Sequence, residues 1–145
     1  MRFRLFNLNR FSRACAAFAI LFTCDCASAG MWTVYWRGTD ADLYFDPISV
    51  RQRGTSVEVD VLVDFNGVIE RRNGTKYMSM SGIERYNCED DTYAYVSLVV
   101  WEAPLGTGKL LSESKSDETE IMKVAPETAA GKLFNILCGK PAKRQ

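Results

Sequence analysis

Between Gly54 and Gly67 lies the stretch that most constrains this chain: Val57, Val59, Val61, Val63 and Phe65 alternate with Glu58, Asp60, Leu62 and Asp64. Successive side chains of a strand point to opposite faces, so, apart from Leu62, the run describes a strand with one buried face. Such a strand needs neighbours to pair with and an apolar layer to cover it. The flanking sequence supplies both.

Upstream, the aromatic and β-prone residues 32–36 form a first strand, broken by Gly38-Thr39-Asp40, and residues 42–46 form a second, ended by Pro47. Downstream, Asn66-Gly67 is a turn signal, and residues 75–86 follow as a strand with Gly82 as a bulge. Glu89-Asp90-Asp91 is a polar turn. Residues 92–102 are apolar on both faces, as in a central strand, and Pro104 with Gly106-Thr107-Gly108 makes a loop before a last strand at 109–114. Residues 112–123 are charged and aperiodic, so a solvated loop is expected there. Then the period changes. Ala129, Ala130, Leu133, Phe134, Ile136, Leu137 and Cys138 fall at helical spacing within residues 127–138. Pro126 suits the first turn, Glu127 complements the positive helix end, and Gly139 is a stop signal. The expected fold is α+β: an antiparallel sheet of about six strands with one C-terminal helix packed on one face.

The first 29 residues have a different character. Arg2, Arg4, Arg10 and Arg13 precede an apolar run of nine residues, 14–22, and Ala27-Ser28-Ala29 closes the segment. A basic start, a short apolar core and a small-x-small exit make a secretory signal cleaved after Ala29. The run is well short of the roughly 20 residues that span a bilayer. A rival exit is Leu21-Phe22-Thr23-Cys24, a lipobox-like stretch that would make Cys24 a lipidated first residue, although Phe22 and Thr23 are poor choices before such a cysteine. The organisation expected is a signal at 1–29, one domain at 30–139 and a short disordered tail at 140–145. Losing the signal turns 18 basic and 18 acidic side chains into 14 and 17, so the mature part is mildly acidic, which disfavours a nucleic-acid partner. It also removes Cys15, Cys24 and Cys26. The remaining Cys88 and Cys138 form one disulfide in an oxidising compartment, the alternative being two separate buried thiols.

No catalytic constellation emerges. The chain has no histidine, the commonest general base near neutral pH. It has no G-x-S-x-G elbow, and Glu89-Asp90-Asp91 lacks the spaced oxygen ligands of a calcium loop. Gly106-Thr107-Gly108 is too short to cradle phosphate. No enzyme activity, cofactor or metal is therefore expected. Asn73-Gly74-Thr75 is a formal glycosylation sequon, too short to weigh. The aromatics Trp32, Tyr35, Trp36, Tyr93, Tyr95 and Trp101 divide between core packing and a binding platform, with core the better reading in a domain this small.

These pieces resemble the surface-adhesin protein E family of small exported bacterial proteins. The resemblance rests on Tyr44-Phe45-Asp46-Pro47-Ile48-Ser49-Val50, the valine strand ending at Asp64, Tyr77-x-Ser79, Tyr86-x-Cys88, Gly106-Thr107-Gly108, Ala125-Pro126 and Cys138, in that order. It implies a twisted antiparallel sheet packed by the C-terminal helix and held by a Cys88–Cys138 bridge. It also implies binding of host extracellular-matrix or serum proteins from an outer-membrane lipoprotein. The cations offered by the strand before Cys88 are Lys76 and Arg85, few for a matrix-binding face; with Tyr93 and Tyr95 they are the candidate contact residues. Location is expected to be the periplasm, or the outer surface if Cys24 is lipidated, and membrane contact follows only in that second case. A homodimer stays open, as does a small-ligand carrier using the crevice between sheet and helix.

Overall fold

In the computed structural model, which describes residues 31–116 and 120–140, the chain forms β1 (Thr33–Arg37), β2 (Ala41–Phe45), β3 (Arg51–Arg53), β4 (Ser56–Glu70), β5 (Lys76–Asn87), β6 (Thr92–Ala103), β7 (Thr107–Lys115), β8 (Met122–Lys123) and α1 (Ala129–Cys138). The expected signal, its two exits at Ala29 and Cys24, and residues 141–145 of the tail lie outside the described residues. The sheet is antiparallel in the order β1-β2-β4-β5-β6-β7, with β3 added to β4 and β8 to β6. The α+β expectation therefore holds, with eight strands where about six were expected. The extra two, β3 and β8, are three and two residues long, too short to carry a period. Residues 112–123 are accordingly not all loop, because β7 runs on to Lys115 and β8 returns to pair with Thr92 and Tyr93.

The valine run lies at the centre of the sheet. Val57, Val59 and Val61 are buried, and so are Tyr35, Phe45, Tyr86 and Val124, all but Val57 beneath Leu133 and Phe134 of α1 in one apolar cluster. Leu62, the residue that breaks the alternation, is fully buried on the other face. There the turn at Pro104–Gly106 closes over it, with Gly106 packed near its side chain. The turn is pinned from β4 and β5: the Leu105 amide donates to Asp64 Oδ1 at 2.7 Å, and the Gly106 amide donates to Ser79 Oγ at 2.9 Å. The Asp46-Pro47-Ile48-Ser49 segment is a second pin. Asp46 caps its short 3-10 turn by accepting from the Ile48 amide, and Ser49 Oγ accepts from the Asp60 amide at 2.8 Å.

Asn66-Gly67 is not the hairpin turn. β4 continues to Glu70 with an irregularity between Asp64 and Ile69, and the chain reverses at residues 71–75 instead. Asn66 is held straight by its contacts with the β1–β2 turn, where its amide donates to Asp40 O and its side chain to Thr39 O. The bulge expected at Gly82 sits one step away and on the partner strand. Pairing shifts between Ile83 and Glu84, leaving Val96 of β6 as the extra residue. Gly82 lets that bulged backbone fold over it, since a Cβ there would lie 2.1 Å from Ser97 O.

The helix begins later than its spacing implies. Thr128 is the N-cap, its Oγ1 accepting from the Gly131 amide at 3.2 Å, so Pro126 and Glu127 lie outside the first helical turn. Ile136, placed on the apolar stripe by sequence, is 48% exposed. Gly139 ends the helix in the left-handed region, as expected. Thr128→Ala is expected to cost about 1 kcal/mol through the lost cap, read as a lower urea midpoint with an unchanged slope.

Candidate functional site

Strand alternation sorts the sheet residues onto two faces. On the helix side, Val59 pairs with Glu84 and Val61 with Gly82, so Met80, Gly82, Glu84 and Tyr86 of β5 point toward the helix layer. Across β6, Glu84 is opposite Tyr95 and Tyr86 is opposite Tyr93. The extra residue Val96 then resets the alternation, so that Tyr95 and Leu98 come to the same side. Without the bulge, Leu98 would face the other way.

The helix covers only part of this face. Beside it lies a cavity of about 360 Å³ whose walls include Val61, Val63, Met80 and Leu98, with Lys115 also lining it. Under the start of the helix lies a second cavity of about 280 Å³, walled by Tyr35, Tyr86, Tyr93 and Tyr95. Glu84 and Tyr95 line both. The tyrosines pack on one another: Tyr86 stacks on Tyr93 at 5.5 Å between centroids, and Tyr93 meets Tyr95 edge to face at 6.0 Å.

Glu84 is the unusual group. It is 8% exposed, and the Tyr86 hydroxyl donates to its Oε2 at 2.7 Å. Burial raises its carboxyl to about 7, with the Tyr86 hydrogen bond pulling the other way. Among the described residues it has no ion pair. Burial, reinforced by the nearby Glu84, also raises Tyr35, Tyr86 and Tyr93, and brings Tyr95 to about 12, so all four phenols are neutral at ordinary pH.

The candidate residues from sequence are not one patch. Tyr93 and Tyr95 share the helix side, and Tyr95 is 43% exposed. Arg85 points to the opposite face, where its Nε donates to Glu58 Oε1 at 3.0 Å. That contact, chiefly, holds the Glu58 carboxyl below its usual range. Lys76 sits at the far end of β5, exposed, 3.7 Å from Glu70. Glu84 was missed. Its signal was present, since it is the one acid in the series Met80, Gly82, Glu84, Tyr86 on the face that Tyr86 buries. Cys88 and Cys138 are joined, with Cα atoms 5.6 Å apart, tying the end of β5 to the end of α1. Among the described residues no group of His, Cys, Asp and Glu is placed to hold a metal, and no helix is long and apolar enough to cross a membrane.

An antiparallel sheet with one docked, disulfide-tied helix and a half-open face defines a small stapled α+β domain. A family model described as surface-adhesin protein E matches residues 32–139, and the chain belongs to that family. The family is one of adhesins, a non-enzymatic class of exported protein. The fold is similar to that of Haemophilus influenzae protein E. One crystal form of that protein is 14% identical with a TM-score of 0.55, the match covering 74% of this chain and 87% of that one. The structure of protein E from a non-typeable strain is 15% identical at the same TM-score, covering 80% and 79%. No curated protein sequence matches the chain.

Proposed function

We propose that this protein is a non-catalytic binding module of the bacterial cell envelope that engages a partner protein, of the host or of the envelope itself, along a sheet edge. The observation that carries this is β7. Among the described residues its nine positions pair only with β6, and most of them are exposed. An open edge offers a row of backbone donors and acceptors to an added strand, and Lys109, Glu113 and Lys115 protect it from indiscriminate pairing. Family membership supports an adhesive role. Of the candidate contact residues, Lys76 and Tyr95 remain exposed enough to contribute, whereas Arg85 is engaged with Glu58 and Tyr93 with Tyr86.

The second reading is a periplasmic structural protein that meets no host. Protease treatment of intact cells separates the two. Loss of the protein from shaved cells, together with retention of serum or matrix proteins on the purified domain, is the expected result. A fully protected protein found only in the periplasmic fraction would leave the second reading. The intact mass of the mature protein tests the anchor as well: a cut after Ala29 gives a lipid-free chain, and a start at Cys24 carries acyl mass.

A further inference from the structure

We propose that the open part of the helix side is a binding site for a small apolar monoamine, its ammonium group resting on the Glu84 carboxylate among the tyrosines and its apolar body lying along Val61, Val63, Met80 and Leu98. The larger cavity, about 360 Å³, has the size and the largely aliphatic wall of small-ligand sites. An aliphatic wall alone names no occupant. Glu84 does.

A carboxylate that is 8% exposed and receives one hydroxyl hydrogen bond is poorly compensated for its lost hydration. The fold has cations nearby and directs them elsewhere. Arg85, the next residue, projects from the opposite face to Glu58. Lys123 of β8, which lines the tyrosine cavity with Glu84, donates its amino group to Asp90 O at 3.0 Å. Lys115 of β7 lines the larger cavity without an ion pair among the described residues, and its charge disfavours a second positive group on the ligand. The remaining titratable groups beside Glu84 are the phenols of Tyr35 on β1, Tyr86 on β5, and Tyr93 and Tyr95 on β6. Their ring faces carry negative potential and attract cations within a few ångströms, while an anion at the same place would meet Glu84. A carboxylate with aromatic faces around it and an aliphatic trough beside it selects a cationic head on an apolar body. The Val96 bulge, which brings Tyr95 and Leu98 to one side, joins the two halves of the site.

The test is titration calorimetry of the purified protein with hexylamine, hexanol and hexanoate, first at pH 8, where Glu84 is ionised. Hexylamine is expected to bind one site about ten- to a hundredfold more tightly than either matched probe, the range of a charge-assisted hydrogen bond. As pH falls below 7 that advantage should shrink by about tenfold per unit, because Glu84 takes up a proton while the amine keeps its own. Glu84→Gln keeps an acceptor for the Tyr86 hydroxyl and should reduce hexylamine to the level of hexanol. The pH series on the unmodified protein gives the same answer without a variant. Equal binding of hexylamine and hexanol, a pH-independent hexylamine affinity, or no binding at all would overturn the proposal.

Discussion

Cys138→Ser is expected to lower the stability of the domain by about 2–5 kcal/mol and its melting temperature by roughly 10–20 °C. Cys88 and Cys138 are 50 residues apart, so opening the bridge releases a long loop in the unfolded chain, worth about 4 kcal/mol by loop-closure entropy. The folded state is affected as well. The bridge ties the last turn of α1 to the end of β5, and Leu133 and Phe134, which cover the central valines, lie on the same short helix. Ten residues of helix have little stability of their own, and docking must hold them. Cys88→Ser and the double variant should each match Cys138→Ser, because all three remove the same link. Two free thiols in the native protein, or a melting temperature unchanged by Cys138→Ser, would mean that the helix docks without the bridge.

The sheet, the helix and the bridge could be read from residues because each follows from a strong local or compositional rule. Alternation gives β4, and β6, apolar on both faces, reads as an interior strand, which it is, between β5 and β7. Two cysteines in an exported chain leave one pairing. Each misreading is a local signal overruled by a competing contact, distant in one case and adjacent in the other. Asn66-Gly67 has turn chemistry, yet Asn66 is held by Thr39 and Asp40 from another strand pair. Pro126 and Glu127 suit a helix start, yet Thr128 caps it. The motifs that carry the family resemblance prove to be pins of the scaffold: Asp46 and Ser49 fix the end of β2 to β4, and Ser79 holds the Pro104–Gly106 turn. The candidate site depends instead on a one-residue bulge at Val96 and on the face to which Glu84 points. The face of Glu84 follows by alternation from Tyr86 on the same strand, but the bulge has no signature in sequence, because the register of β5 against β6 sets it.

Glu84 should make the domain less stable as pH rises from 4.5 to 7, by roughly 3 kcal/mol in all. Its carboxyl sits near the ordinary value of 4.5 in the unfolded chain and is raised to about 7 in the folded one. Below pH 4.5 both states hold the proton and nothing is lost. Between the two values only the folded state holds it, so stability declines with rising pH, and above 7 the decline stops. Asp60, also raised by burial, acts in the same direction, while Glu58, lowered by Arg85, loses its contribution as pH falls below the ordinary carboxylate range. The two trends place the stability maximum on the acid side of neutrality. Glu84→Gln should abolish most of the decline and leave the variant more stable than the parent at pH 8, with little difference at pH 4. Urea unfolding from pH 4 to 8 measures this directly, and a decline that survives in the variant would assign it to other groups. A carboxylate that weakens its own fold at neutral pH gains nothing from packing, since a neutral glutamine fits the same space and keeps the Tyr86 hydrogen bond. What glutamine cannot do is pair with a cation. Hexylamine should therefore stabilise the parent at pH 8 more than hexanol does, and should stabilise the parent at pH 4 and the variant at either pH no more than hexanol does.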